Sequence, residues 1–543
     1  MTGVELFVQT LQEWGVSFLA TLCGHGLNPL DLACRNAGVR LVDVRNEQAA
    51  GYLAEAYGRL TGQVGVCASS SGVAHANAMT GVVNASLDGA PMLLVTGCGP
   101  SETIGMGHFQ DVDHVALAAP VCKYARMIDR AERVPQILHD ALTAALTGRP
   151  GPVHLTFPQD IQTADVDLSR TCRPLSSPQR LAAPGELRLI AEAARWLIEA
   201  ERPFLIAGSG VHYARGEETL ILLARTQSLP VVIPIWDRGC LSRPLDEFMG
   251  VIGAASGGPS LLPDADVILM VGAACDYRVG YLQPPAVSSE ARIIRVDADP
   301  EHLQRGTGAH LSILGDPRLV TEQLAEACTG GAIQSHTVWL REAQRRRQAF
   351  RQRCLDARTR APAGLHALDL LRAVQAVLTD DTILIIDGGN IGQWAHQVLC
   401  DRYPGHWLTC GVSGVVGYGL PAAMAARLRY PDRPIILLSG DGALTFTIAE
   451  LESAARQGLG FVVLLADDAA WGITLTGHQR AFGMGITSEL GPIRFDQVAE
   501  GFGAHGVCIR QAEEIEPALR LGLASDRPVL IHVPVVRSSP TDG

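Results

Sequence analysis

Apolar positions along the 543-residue chain fall into short runs separated by stretches with helical spacing. Val4–Trp14 carries apolar residues at helical intervals and predicts an amphipathic helix. Arg40–Val44, Val64–Ala68, Met92–Thr96 and Val153–Phe157 are strand-sized runs, and the Ala-rich stretch Glu47–Thr61 predicts a helix between the first two. The pattern breaks over Leu168–Leu187, where Pro174, Ser176, Ser177, Pro178 and Pro184 resist regular structure. It resumes with runs at Pro203–Ala207, Pro230–Pro234, Val267–Val271 and Arg292–Val296. The arginine-rich stretch Arg341–Leu365 then predicts a solvated helix crossing between domains. A third set of runs follows at Thr382–Ile386, Pro434–Leu438, Phe461–Leu465 and Val529–Val533, alternating with helical segments such as Ile448–Arg456. Strand–helix alternation of this kind predicts parallel sheets covered on both faces. The expected fold class is therefore α/β, with three doubly wound parallel-sheet domains at 1–167, 188–340 and 366–543.

Charge and cysteine usage narrow the function. Lys and Arg number 44 against 56 Asp and Glu, a formal net charge of −12. With no basic run longer than Arg345–Arg347, nucleic acid and anionic membrane surfaces are poor partners. No apolar stretch reaches the roughly 18 residues of a membrane-spanning helix. The N-terminal residues lack the basic and apolar regions of a signal peptide, so the expected location is cytoplasmic. The 13 cysteines form no C-x-x-C pair, which disfavours zinc ribbons and thioredoxin-like sites.

The strongest chemistry lies in the third block. The strand-like run Pro434–Leu438 leads into Ser439-Gly440-Asp441-Gly442, and Phe461–Leu465 leads into Ala466-Asp467-Asp468-Ala469-Ala470-Trp471-Gly472. Asp441 and Asp468 lie one strand–helix–strand unit apart, so both carboxylates reach the carboxyl ends of neighbouring parallel strands, where open α/β sheets bind ligands. Oxygen ligands on two such loops suit Mg²⁺, which shares its sphere with phosphates and water. The glycines let backbone approach a diphosphate, and a following helix start offers free N–H groups.

These motifs resemble those of the thiamine diphosphate-dependent enzymes, in particular the acetolactate synthase-like family, with benzaldehyde lyase and the 2-hydroxyacyl-CoA lyases and oxalyl-CoA decarboxylase as relatives. The first block adds Arg45–Ala50, Ala56–Gly62, Ser70-Ser71-Gly72, Asp88–Pro91 and Phe109-Gln110-Asp111, and the third adds Gly414–Ala423. The resemblance covers nearly the whole chain. It implies a pyrimidine-binding, a central and a diphosphate-binding domain, with thiamine diphosphate and Mg²⁺ as cofactors. It further implies a homodimer or homotetramer with active sites between subunits, acting on a small carbonyl substrate.

The same resemblance assigns residues. Glu47 aligns with the glutamate that hydrogen-bonds the aminopyrimidine and starts its proton relay. Asp441, Asp468 and the carbonyl of Ala470 align with the metal ligands; the family has asparagine where this chain has Asp468. Gly388, Asn390 and Ile391 align with the loop over the diphosphate, and Gly442 and Ala443 with its N–H donors. The carbonyl of Gly414 is implied to accept from the aminopyrimidine, and Val416 to wedge between the cofactor rings. Gln110 matches a glutamine near the reacting carbon. His25, in Cys23-Gly24-His25-Gly26, is either a proton-transfer group or a structural turn residue. Trp471 and Gly472 either shape the site or pack it, and Lys123 either steers an anion or serves the surface. His75 falls where Gly72-Val73-Ala74 replaces the family's Gly-Pro-Gly turn.

Three activities remain open: a carboligase or decarboxylase using a 2-oxo acid such as pyruvate, a lyase or ligase of acyloins or 2-hydroxyacyl-CoA, and a non-catalytic homologue. Trp471–Leu475 resembles benzaldehyde lyase, whereas the tail after Val536 has one arginine, Arg537, rather than a basic lid for CoA. Gly208-Ser209-Gly210 leaves FAD, an ADP moiety or no nucleotide open for the central domain.

Overall fold

The computed structural model describes residues 1–237, 239–241, 245–253, 258–328, 330, 333–399 and 406–539; the end of the tail, 540–543, lies outside them. The chain builds three six-stranded sheets, every pairing parallel. The first contains β1 (Phe18–Thr21), β2 (Arg40–Asp43), β3 (Gly65–Ser69), β4 (Met92–Cys98), β5 (Tyr124–Met127) and β6 (Pro152–Pro158). The second contains β7 (Pro203–Ala207), β8 (Val231–Pro234), β9 (Phe248–Ile252), β10 (Val267–Val271), β11 (Arg292–Asp297) and β12 (Leu311–Leu314). The third contains β13 (Ile383–Asp387), β14 (His406–Thr409), β15 (Ile435–Gly440), β16 (Val462–Asp467), β17 (His505–Cys508) and β18 (Val529–Pro534). Three doubly wound α/β sheets are thus the architecture that strand–helix alternation predicts.

Strand order separates the sheets into two kinds. The first runs β2-β1-β3-β4-β6-β5 and the third β14-β13-β15-β16-β18-β17, the same order counted from each sheet's first strand. The central sheet runs β12-β11-β10-β7-β8-β9, the order of dinucleotide-binding folds. Interior strands such as β4, β10 and β13 are buried along their whole length, because helices cover both faces.

The described chain packs as two compact units. One comprises Met1–Leu181 with Ser413–Pro431 and Thr447–Leu459; the other comprises Ala182–Val412 with Asp432–Phe446 and Gly460–Gly543. In the first, the helix Glu47–Thr61 begins at Asn46, whose side chain accepts from Gln48 N–H at 2.9 Å, and ends at Gly62 in the left-handed region. Its small residues Ala49, Ala50, Ala54 and Ala56 are fully buried, which lets the helices Val73–Asp88 and Gly419–Arg429 pack closely on it. In the second, the arginine-rich stretch is a 27-residue helix, Gln334–Arg360. Arg346 pairs there with Glu342 and Asp264 at 2.8 and 2.5 Å. No described helix is long and apolar enough to cross a membrane.

Candidate active site

In the second unit, three loops meet because three strands end in register. Asp387 of β13 pairs with Ser439 of β15, and Gly440 of β15 with Ala466 of β16. The loops that follow carry Gly388, Asn390 and Ile391; Asp441, Gly442 and Ala443; and Asp468, Ala470, Trp471 and Gly472. Asn390 Nδ2 donates to Asp468 Oδ2 at 3.0 Å, and Ala470 N–H donates to Asp441 Oδ2 at 3.2 Å. A Cβ on Gly472 would strike Asn390 Nδ2 and lie 2.6 Å from Asp468 Oδ2, so any larger residue would push both side chains from this junction. The Trp471 ring lies over Gly442 and edge-on to Phe446, centroids 5.9 Å apart, and the Trp471 backbone N–H donates to the Ser488 carbonyl at 2.9 Å. Trp471 therefore both packs the junction and forms its wall. Ile391 points the other way, buried in the core against residues such as Trp394 and Leu438.

The electrostatics of this junction would suit a cation. Burial, with the nearby charges of Asp468 and Asp467, pushes the Asp441 pKa up to about 7. Asp468 is also raised by burial, against the opposing effects of its Asn390 hydrogen bond and the Arg537 charge. Asp467 is different. Burial raises it, but His532 Nε2 at 2.8 Å and the Ala469 N–H at 3.0 Å outweigh that and leave it depressed. No cation is among the charges acting on Asp441, Asp468 has only the charge of Arg537, and Asn390 Oδ1 is buried without a hydrogen-bond partner. Oxygen donors in this number fit Mg²⁺ completed by phosphates and water. Among the described residues no three His, Cys, Asp or Glu side chains form a preformed metal cage.

The first unit gathers a different set at the carboxyl ends of β1 to β4. Glu47 is the first residue of its helix and accepts from Asn77 Nδ2 at 3.1 Å. Asn77 lies on the helix Val73–Asp88, which starts after Gly72 at φ +62°. A Cβ on Gly72 would sit 2.7 Å from that of Gln110, and Ser71 Oγ donates to Gln110 Oε1 at 2.9 Å. Gln110 itself holds a left-handed φ of +59°, an uncommon conformation for a side chain of its size. The neighbouring Phe109 ring meets the His25 ring edge-on at 5.4 Å, and Ser70 Oγ donates to the His25 carbonyl at 2.8 Å. Glu47, Gln110 and His25 thus line one chain of contacts. Glu47 is half-buried and hydrogen-bonded within the described chain rather than enclosed in an apolar pocket. Gly414, at φ +66°, and the half-buried Val416 belong to this unit as well.

Behind this surface lies a feature the sequence does not announce. His75 Nδ1 and His154 Nε2 meet Thr96 Oγ1 at 2.8 and 3.1 Å, and His114 Nε2 accepts the Gly72 N–H at 2.9 Å. Burial, then the neighbouring His114, lowers the His75 pKa to about 3. His75 is therefore a core residue supporting the turn. Lys123 Nζ donates to the carbonyls of Thr147 and Arg149, so its charge serves a turn rather than an anion.

The central glycine turn does not present a phosphate cradle among the described residues. Gly210 packs against Gly272 so closely that a Cβ would lie 2.7 Å from the Gly272 Cα. The Ser209 N–H donates to Asp237 Oδ2 at 3.1 Å, and buried Arg278 pairs with Asp237 at 2.6 Å and Asp276 at 2.8 Å. A carboxylate of the chain thus occupies the Ser209 N–H, a donor that a phosphate at this turn would otherwise take.

Comparison with known proteins identifies the family. Residues 1–117 match the thiamine pyrophosphate enzyme N-terminal TPP binding domain, 190–324 the central domain, and 387–533 the C-terminal TPP binding domain. The chain is 30% identical to the acetolactate synthase isozyme 1 large subunit of Escherichia coli over 98% of its own length and 93% of that protein's. It is 30% identical to the acetolactate synthase large subunit IlvG of Mycobacterium tuberculosis, covering 98% and 95%. It is 26% identical to the 2-hydroxyacyl-CoA lyase 2 of Caenorhabditis elegans, covering 100% and 90%. With an end-to-end relative at this identity and three matched domains, the chain belongs to the thiamine pyrophosphate-dependent enzymes of the acetolactate synthase-like family.

Proposed function

We propose that the protein is a thiamine diphosphate- and Mg²⁺-dependent carboligase or decarboxylase that takes a 2-oxo acid such as pyruvate as donor. The observation that carries this reading is the junction of Asn390, Asp441, Asp468 and Ala470 over three strand ends, with two buried carboxylates in need of a cation. Asp441, Asp468 and the Ala470 carbonyl hold the metal. Backbone N–H groups of Gly442 and Ala443, with Gly388, Asn390 and Ile391, hold the diphosphate. Trp471 and Gly472 wall the junction. The cofactor supplies the electron sink that carbon–carbon bond making and breaking requires.

The chain's own residues supply position and protons. Glu47, which accepts from Asn77 Nδ2, would hydrogen-bond the aminopyrimidine and relay a proton at its carboxyl. Val416 and the Gly414 carbonyl set the cofactor's conformation. Gln110, fixed by Ser71, offers its amide to the substrate oxygen, and His25 moves a proton at the same oxygen. The working form is a homodimer or homotetramer with active sites between subunits, in the cytoplasm.

A second reading, acyloin or 2-hydroxyacyl-CoA cleavage, is supported by the full-length relative named for the latter activity and by Trp471–Leu475. One experiment separates the readings: pyruvate consumption by the purified protein with thiamine diphosphate and Mg²⁺, beside Glu47→Gln. Acetolactate formation lost in that variant is the expected result. Tight cofactor binding without pyruvate consumption refutes the 2-oxo acid donor and leaves the lyase. Absence of cofactor binding leaves a non-catalytic homologue.

A further inference from the structure

The turn that carries Asp468 and Ala470 is gripped from behind by the segment that leaves β18. Val535 N–H donates to the Asp467 carbonyl at 2.8 Å. Arg537 Nε donates to the Asp468 carbonyl and Nη2 to the Ala469 carbonyl, both at 3.1 Å. Three successive carbonyls of the turn are therefore occupied from one side. Ala469 needs such support, because it holds a left-handed φ of +51° without being glycine. The third guanidinium nitrogen, Nη1, pairs with Glu489 at 2.8 Å. Glu489 bridges Ala470 on the opposite edge, where Leu490 N–H donates to the Ala469 carbonyl at 2.9 Å. A planar, rigid fork is suited to hold several acceptors at once, and a lysine would not reproduce it.

Charge gives this grip a second role. A family site with aspartate and asparagine carries one negative charge at the metal; Asp441 and Asp468 carry two, facing a diphosphate. Asn390 Nδ2 is a neutral donor to Asp468. Arg537, its charge shared with Glu489, brings positive charge to the backbone of the same residue.

We propose that Arg537 is a positioning residue for the metal-binding turn and the counter-charge that accommodates Asp468 in place of asparagine. The inference rests on the reading that Asp441 and Asp468 hold Mg²⁺, and it goes beyond it by tying a residue outside the motifs to that pair.

The test is a double-variant cycle on the full-length protein. Mg²⁺ is titrated in the presence of thiamine diphosphate, and tryptophan fluorescence is followed because Trp471 lies over Gly442. Wild type, Arg537→Gln, Asp468→Asn and the double variant are compared, with thermal melting of each cofactor-free protein as the control for folding. Arg537→Gln is expected to weaken Mg²⁺ binding about tenfold in wild type and less than about twofold beside Asp468→Asn. Arg537→Lys, which keeps charge but not the fork, should fall between wild type and Arg537→Gln, and it carries the same comparison if the glutamine variant does not fold. Equal losses in the two backgrounds, or no loss in either, overturn the inference. Wild type that binds no Mg²⁺ with thiamine diphosphate overturns the underlying reading as well, a result visible without any variant.

Discussion

Replacing Arg59 and replacing Glu55 should have opposite consequences, although the two are partners. Both lie on the helix that begins with Glu47. Arg59 Nη1 is 3.6 Å from Glu55 Oε1, 3.5 Å from Asp88 Oδ2 and 3.4 Å from Tyr418 Oη, and Asn84 Nδ2 donates to Glu55 Oε1 at 3.2 Å. Glu55 and Arg59 are almost entirely buried, and Asp88 nearly so. One cation cannot neutralise two buried carboxylates. Burial pushes the Glu55 pKa to about 8, the Arg59 charge opposing and the Asp88 charge adding to it. At neutral pH the cluster is thus Arg59 with Asp88, and Glu55 carries a proton. Arg59→Met leaves Asp88 buried without its cation, a loss of about 3–5 kcal/mol. In a packing unit of roughly 200 residues that lowers the melting temperature by on the order of 10 °C.

Glu55→Gln keeps a neutral group of the same shape, able to accept from Asn84 and donate to Asp88. It also removes a titration. Because the folded pKa is raised, the stability from Glu55 is present below its unfolded pKa near 4.5 and is lost as pH rises towards about 8. The variant, which does not titrate, should gain on wild type across that window by up to about 1.4 kcal/mol per pH unit. Melting of wild type and both variants at several pH values decides the matter. Glu55→Gln as damaging as Arg59→Met at neutral pH, or an advantage that shrinks as pH rises, would show that Glu55 is ionised and refute the reasoning.

Three further outcomes are expected. Gly472→Ala should weaken Mg²⁺ and thiamine diphosphate binding by about tenfold or more with little change in melting of the cofactor-free protein, since its methyl group would displace Asn390 and Asp468; cofactor titration checks it. His75 and His154 are held neutral by burial, so the stability they contribute is present above the ordinary histidine pKa near 6.5 and lost as pH falls towards their depressed values. Unfolding free energies from denaturant melts should fall by up to about 1.4 kcal/mol per pH unit per histidine, and His154→Asn should flatten that slope. The purified protein should show no flavin absorbance, because Asp237 fills the Ser209 turn; bound flavin in the absorbance spectrum would refute that assignment.

What was legible in the sequence follows from burial. Strands covered on both faces write continuous apolar runs, and β3, β4, β10, β13, β15 and β16 are visible for that reason. Edge strands write weaker signals. Tyr124–Met127 is half-buried throughout and His505–Cys508 alternates with exposed positions, so neither stands out from its surroundings. Asp441, Gly442 and Asp468 stand out in the sequence because their loops follow strands one strand–helix–strand unit apart, and the structure sets those loops side by side. Arg537 was not, since its partners are backbone carbonyls that leave no pattern in a sequence. The histidine cluster was hidden for a related reason: His75, His114 and His154 come from three distant segments and meet only after β4 and β6 pair.

The shared strand order of the first and third sheets explains why similar blocks show no residue-level repeat. Corresponding loops occupy equivalent places in the two sheets: Cys23–Gly26 and Gly388–Asn390 follow the first strands, and Ser70–Gly72 and Asp441–Ala443 the third. A parallel sheet constrains the residues within its strands to be apolar, and many combinations of Val, Ile, Leu and Ala satisfy that. It constrains the strand-end loops hardly at all, so these are where chemistry can diverge. In the third sheet the loop after the third strand places Asp441 beside Asp468, and like charges held in a buried junction call for a metal. In the first sheet the equivalent loop is neutral, and Ser71 uses its hydroxyl to orient Gln110. One backbone path thus carries an acidic loop in one block and a neutral, hydroxyl- and amide-bearing loop in the other. The difference rests on a few loop side chains, while the common fold is maintained by strand residues free to drift.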